Sequence, residues 1–288
     1  MSAESRFSET INQAGEENGF SVKKFQPLTG GDINDVFLIE TGTSEKLVIK
    51  INDSNKYPGM FKTEKAGLDE LRKAEVIDVP ENLYTGEVQD QSYLILRYIE
   101  SADKTPEFWE VFGEQMAALH KTTSEKFGFE TDNYIGSLPQ YNKRCVSASE
   151  FYISQRLEPQ LKMAQNTGYD LGNTATFLKN VSELVADEPP ALIHGDLWGG
   201  NYIVNAEGFP CLIDPAVAYG PREMDLSMMK LFGGFDAELF KSYNSHFPLE
   251  SGFEERVPLW QLYYLLVHLN IFGLGYKKSV ESIIRRYS

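Results

Sequence analysis

The residues able to do chemistry cluster in one stretch. The apolar run Ala191-Leu192-Ile193 ends in His194-Gly195-Asp196, four residues intervene, and Asn201 opens a second apolar run. Thirteen positions beyond Asn201, Ile213-Asp214-Pro215 ends another apolar run with a second carboxylate. An Asp, four residues, an Asn and then a further Asp is the order in which phosphoryl-transfer sites place a proton acceptor and two metal ligands. Asp196 is the candidate acceptor, because an attacking hydroxyl must pass its proton to a base within reach. Asn201 offers an amide oxygen and Asp214 a carboxylate, hard donors suited to Mg²⁺, whose remaining ligands would be water and nucleotide phosphates. An Asp in a turn is most often a turn former. The joint spacing of the three residues outweighs that bland reading.

Two upstream residues complete the set. Lys50 lies in Leu47-Val48-Ile49-Lys50-Ile51, a strand from which it could reach the phosphates of ATP, and Glu64 on the following helix could orient it. Either alone is weak, since a Lys in such a run is usually a solvated edge residue. Gly30 and Gly31, between the first two strands, would let backbone N–H groups approach phosphates, although no complete G-x-G-x-x-G is present. Trp198 sits inside the catalytic turn, either as a packing anchor or as a surface for substrate. His194 is read as organising that turn through its ring nitrogens. Asp225 reads as a helix-start residue that accepts backbone N–H bonds and pins the turn, in preference to a third catalytic acid. His120 reads as a helix-end residue, and His246 and His268 lie in no pattern.

The elements that must hold these residues follow from periodicity. A short helix is expected over about 8–19, strands over 24–28, 36–40, 47–51, 84–88 and 93–99, and a helix over 61–71 whose apolar face includes Phe61, Leu68 and Leu71. Residues 1–99 therefore read as a small α+β lobe, a five-stranded antiparallel sheet with one main helix. The polar segment 99–105 is the candidate hinge. Residues 100–288 read as a larger, mainly helical lobe, with helices over 107–121, 151–164, 175–185, 222–231, 237–243 and 257–272 and a last one ending near Tyr287. A small sheet lobe before a large helical one, with the chemistry on loops between, is a two-lobed protein kinase-like α+β fold.

Composition narrows the function further. Lys and Arg number 27 against 42 Asp and Glu, a formal charge of −15. Such a surface repels phosphate backbones, which argues against nucleic-acid and anionic-membrane partners and mildly favours a cationic substrate. Cys145 and Cys211 are the only cysteines, too few for a disulfide framework and without metal-ligand spacing. The start is polar and lacks an apolar signal core, and the densest apolar segment, 258–274, is interrupted by Gln261, His268 and Asn270. A soluble cytoplasmic protein, a monomer, is the expectation.

Several segments together resemble the fructosamine kinase (ketosamine-3-kinase) family. His194-Gly195-Asp196-Leu197-Trp198-Gly199-Gly200-Asn201, Ile213–Val217, Tyr219–Asp225 and Leu231-Phe232-Gly233-Gly234-Phe235 carry the resemblance. Gly30–Asn34, Gly128-Phe129, Ile135–Gln140, Arg156-Leu157 and Tyr263–Asn270 extend it over nearly the whole chain. The His-Gly-Asp, Asn and Asp core alone would fit the wider aminoglycoside and choline kinase superfamily. The resemblance implies ATP- and Mg²⁺-dependent phosphorylation of the third sugar hydroxyl of ketosamines, as free adducts or on glycated proteins. The product then falls apart, which amounts to deglycation. By motif it makes Asp196 catalytic, Asn201 and Asp214 metal ligands, and Lys50 and Glu64 the nucleotide-orienting pair. It also assigns Gly30, Gly31, Asp32, Ile33 and Asn34 to the phosphate loop, and Trp198 with His194 to the sugar side. Some members carry a Cys in that loop that permits redox-controlled dimers; Asp32 stands there instead, so no thiol switch is expected. A Trp that the family often has shortly after Asn142 is also missing. The alternatives are a kinase for another small hydroxyl compound, of aminoglycoside or choline type, and a non-catalytic nucleotide-binding scaffold.

Overall fold

The computed structural model describes residues 3–28 and 33–288. Helix α1 (Ala3–Glu17) leads into a five-stranded antiparallel sheet, β1 (Val22–Pro27), β2 (Asp35–Thr41), β3 (Lys46–Asp53), β4 (Asn82–Val88) and β5 (Gln91–Arg97), in the order β1-β2-β3-β5-β4. Helix α2 (Met60–Lys73) is the crossover between β3 and β4. The central strands are apolar on both faces because both are covered. Ile49 and Ile51 of β3, with Tyr93 and Ile95 of β5, pack beneath Ile11 and Ala14 of α1. Alternation sends Val48 and Lys50 to the opposite face, the side of Leu94, Leu96 and α2. The expected sheet and main helix are present, with α1 beginning several residues earlier than periodicity suggested.

The rest of the chain is mainly helical. Helix α3 (Phe108–His120) is followed by a hairpin, β6 (Asn133–Ile135) and β7 (Leu138–Gln140), and then by α4 (Ala148–Phe151), α5 (Glu158–Asn166) and α6 (Thr174–Leu184). The single helix expected over 151–164 is divided: residues Tyr152–Leu157 form a π-helical turn ahead of α5. Pro159 supplies the reason, since it lacks an N–H and its ring crowds the carbonyl four residues back, which a widened turn relieves. Four three-residue strands follow, β8 (Ala191–Ile193), β9 (Tyr202–Val204), β10 (Pro210–Leu212) and β11 (Ala218–Gly220). The chain ends in α7 (Glu223–Phe232), α8 (Ala237–His246), α9 (Phe253–Phe272) and α10 (Lys277–Arg286). Helix α9 is apolar nearly all round because α5, α7 and α10 and the π-helical turn pack against it. No helix among the described residues is long and apolar enough to cross a membrane.

Candidate active site

Pairing of the four short strands assembles the site. Strand β8 pairs antiparallel with β11 and β9 with β10, so the turn from β8 to β9 faces the turn from β10 to β11. The first turn carries Asp196 and Asn201 and the second carries Asp214. Backbone bonds lock the two turns together: Ile213 N–H donates to Asn201 O at 3.0 Å and Ala216 N–H to His194 O at 2.9 Å. Gly195 is required here, because its φ is +83° and a Cβ would fall 2.1 Å from Ala216 O.

The five polar residues picked out from the sequence meet across this junction. Lys50 Nζ donates to Glu64 Oε1 at 2.6 Å and also to Asp214 Oδ1. Burial works against the Lys50 charge, but Asp214 and Glu64 outweigh it and hold the ammonium above the usual lysine range. Asn201 Nδ2 donates to Asp196 O at 2.7 Å and to Asp196 Oδ2 at 3.2 Å, which turns its Oδ1 free to accept or ligate. Asp214, whose carboxylate is 42% exposed, adopts a positive φ of 56°. Such a conformation is held against its own cost and re-aims the side chain toward the lobe carrying Lys50. The free Asn201 Oδ1 and the half-exposed Asp214 carboxylate are a donor set that fits Mg²⁺: two hard oxygens, with the remaining positions left to water and phosphate. Burial and the neighbouring Asp214 charge push the Asp196 carboxyl well above the usual range, against the Asn201 hydrogen bond. A carboxylate so placed is a stronger proton acceptor than one in water.

Lys50, Glu64, Asp196, Asn201 and Asp214 line one cavity of about 790 Å³, with Ile33, Asn34 and Trp198 also on its wall. Gly30, Gly31 and Asp32 lie outside the described residues. His194 is fully buried; its Nε2 lies 2.9 Å from Ile213 O and its Nδ1 accepts from Asp196 N–H at 3.3 Å. Both ring nitrogens therefore organise the turn. The placement of His194 on the sugar side is corrected accordingly, since its ring is not part of the cavity wall.

The whole chain can be set against known proteins. Residues 4–288 match the fructosamine kinase family. The chain belongs to that family. Among its relatives, a protein of Synechocystis sp. with a provisional ketoamine kinase name is 35% identical over 270 residues, 93% of this chain and 91% of the relative. The protein-ribulosamine 3-kinase, chloroplastic, of Arabidopsis thaliana is 35% identical over 92% of this chain and 83% of its own. A crystal structure from Haemophilus somnus 129PT with a provisional fructosamine-3-kinase name superposes with a TM-score of 0.87 at 27% identity, covering 96% of each chain. The amicoumacin kinase hAmiN, solved with AMP-PNP and Ca²⁺, shares the fold at a TM-score of 0.63 and 13% identity, over 100% of this chain and 96% of its own. The two-lobed protein kinase-like α+β fold expected from the sequence is the fold of this family.

Three features of this fructosamine kinase family site add to what the sequence assigned. Asp225 does pin the turn, accepting from His194 N–H at 2.7 Å and Gly195 N–H at 2.8 Å. Behind it stands His120, which is the last residue of α3 but not a solvated helix end: it is buried, with Nε2 3.2 Å from Asp225 Oδ2 and Nδ1 2.9 Å from Tyr243 Oη. The carboxylate only accepts, so in the neutral ring Nε2 carries the proton and Nδ1 accepts from the Tyr243 hydroxyl. Second, the Trp198 indole lies back over Gly200, where a Cβ would come within 2.3 Å of the ring. Third, the β6–β7 hairpin braces the segment after Asp214, through Asn133 Nδ2 to Val217 O at 2.9 Å and Gln140 Nε2 to Ala216 O at 3.0 Å. A Gln and an Asn in short strands give no chemical signal; only their partners reveal the role.

Proposed function

We propose that this chain transfers the γ-phosphoryl group of ATP to a sugar hydroxyl of ketosamines, free or on glycated proteins, with Asp196 as the proton acceptor. The observation that carries the reading is Lys50 bonded to both Glu64 and Asp214 on the wall of the cavity that also presents Asp196, Asn201 and Trp198. Lys50, fixed by Glu64, would hold the phosphates of the nucleotide. Asn201 and Asp214 would hold Mg²⁺, which when bound neutralises the charge that spreads over the transferring group. The substrate hydroxyl oxygen bonds to the γ-phosphorus as the bond to ADP breaks, and its proton passes to Asp196. Asn201 and the Asp225-anchored backbone keep that carboxylate aimed. Trp198, 42% exposed on the cavity wall, would give the sugar an apolar face to lie against.

Family membership supports the ketosamine as substrate, as do the names of the cyanobacterial and plant relatives. A nucleotide analogue bound on the same fold in hAmiN supports ATP. The placement of residues 1–99 as the nucleotide-binding lobe and 100–288 as the catalytic lobe is part of the proposal. The test is ATP consumption and product mass on a panel of ribulosamine, fructosamine, choline and an aminoglycoside. Phosphorylation of the first two, reduced roughly 10²–10⁴-fold in Asp196→Asn, is the expected result. Turnover only on choline or the aminoglycoside would overturn the substrate assignment, and full turnover by Asp196→Asn would overturn the role of Asp196.

A further inference from the structure

The cavity has a second wall that phosphoryl transfer does not use. Where α7 ends and α9 runs out, Phe232, His268, Phe272 and Tyr276 gather on the same cavity as Asp196. The His268 ring centroid lies 4.6 Å from that of Phe232, 5.4 Å from Phe272 and 5.1 Å from Tyr276. Phe232 is 40% and Phe272 56% exposed, so their rings are open to a molecule in the cavity.

The chemistry of this wall has a sign. His268 Nδ1 faces its own helix at 2.8 Å from Tyr264 O, a carbonyl that can only accept. The proton therefore sits on Nδ1, and Nε2 keeps a free lone pair, with no described residue donating to it. Burial lowers the His268 pKa below the usual range, so the ring is neutral near pH 7. Lys50 is the only Lys or Arg among the described residues that line the cavity; it pairs with Glu64 and Asp214, and in the proposed function it serves the nucleotide phosphates. Aromatic faces, an imidazole lone pair and the Asp196 carboxylate all attract a cation. An anion would find no partner there, and burying it unpaired is costly.

A ketosamine bears its amine on the first carbon, two carbons from the third hydroxyl. With that hydroxyl at Asp196, the protonated amine lies within the same cavity, whose wall carries both Asp196 and the cluster. We infer that the Phe232, His268, Phe272 and Tyr276 cluster is the subsite for the protonated secondary amine of the substrate. The inference rests on the ketosamine reading above and refines it. It selects adducts whose amine has no carboxylate beside it, such as those on lysine side chains or simple alkylamines, over adducts on the α-amine of free amino acids.

The test uses three ribulose derivatives with the full chain and MgATP: the propylamine adduct, the glycine adduct, and the uncharged 1-O-propyl ether. The propylamine adduct is expected to exceed both others in kcat/KM by about tenfold, the scale of a partly desolvated cation–π contact. Phe272→Ala, at an exposed position, and His268→Leu should each narrow that ratio to about threefold or less, mainly through the KM of the amine. An ether or glycine adduct as good as the propylamine adduct overturns the inference, and so does a ratio that survives in both variants. Saturation-transfer NMR of the propylamine adduct and the ether reads binding without turnover. Failure to phosphorylate any of the three would sink the ketosamine reading, whereas equal binding of amine and ether would sink this one.

Discussion

Trp198 shows how much of a site can depend on a residue with no functional group. Its indole is 42% exposed beside Asp196 and lies on the backbone at Gly200, where a single added carbon would come within 2.3 Å of the ring. The sequence presents Leu197-Trp198-Gly199-Gly200 as a spacer of the right length between Asp196 and Asn201. The glycine after the next is what seats the ring. Gly200→Ala is therefore expected to tilt the indole off the turn and to raise the KM for the sugar by about three- to tenfold, on the scale of about 1 kcal/mol for a lost aromatic contact. The KM for ATP should stay within about twofold, because Lys50 and Glu64 lie on the other lobe. Steady-state kinetics with each substrate varied in turn decide it, and an equal rise in both KM values would mean that Gly200 supports the whole turn. At this scale the sequence was most legible. Asp196, Asn201, Asp214, Lys50 and Glu64, singled out by type and spacing, do meet on one cavity, whereas the place of Trp198 depends on what Gly200 lacks.

Between elements, the turn that carries Asp196 hangs from a chain of buried polar groups. Arg222 pairs with Glu188 and reaches the Tyr243 hydroxyl at 3.5 Å; Tyr243 meets His120, and His120 meets Asp225, which holds the amides of His194 and Gly195. Helices α3, α7 and α8 each contribute a member, so their packing is transmitted to the position of Asp196. Buried networks of this kind are costly to leave half-satisfied. His120→Phe should lower kcat about tenfold while both KM values move less than about twofold, with a loss of about 1–3 kcal/mol in stability. His120→Gln, which can still donate to Asp225, should recover part of kcat; no recovery would mean that ring shape alone matters. The pH dependence has a definite sign. Burial pushes the Asp225 carboxyl up, but the His120 hydrogen bond and charge and the neighbouring amides bring it below the usual range. A folded pKa below the unfolded one gives stabilisation that is complete above roughly pH 4 and is lost as pH falls through the folded value. Without His120 that folded value rises, so the acid limb of the melting-temperature profile of His120→Phe should move to higher pH. The part of Asp225 in pinning the turn was readable along the chain, but its links to His120 and Tyr243 were not, because the three residues are far apart in it and His120 and Tyr243 each have a commonplace local role. The six- to eight-residue strands and long helices were readable. The three-residue strands β8–β11 were not, being too short to show an alternating pattern, although the apolar runs that form them were visible.

At the scale of the whole molecule, the sheet and the helical part share a core, and this bears on the thiols. Leu94 and Leu96 of β5 belong to the same buried cluster as Phe108 of α3 and Leu192 of β8, and Tyr219 Oη donates to Glu70 of α2 at 2.8 Å. Cys211 lies in this junction, fully buried, and Cys145 is buried on the helical side. Burial and the nearby Asp78 charge push the Cys211 thiol up to about 12, and burial also raises Cys145. Thiol oxidation and exchange run through the thiolate, which is scarce at both positions near neutral pH, and neither sulfur is accessible to a second molecule. The position that carries a Cys in some family members is Asp32 here, so no third thiol is available. Treatment with hydrogen peroxide or a disulfide oxidant should therefore leave kcat unchanged within about 20%, since no thiolate of the reactive kind is exposed. The elution volume on size exclusion should be the same with and without reductant, and a thiol-specific chromophore should label neither cysteine until the protein is unfolded. A dimer that disappears on reduction, or labelling of a thiol in the native state within minutes, would show that the junction opens far more readily than its packing indicates.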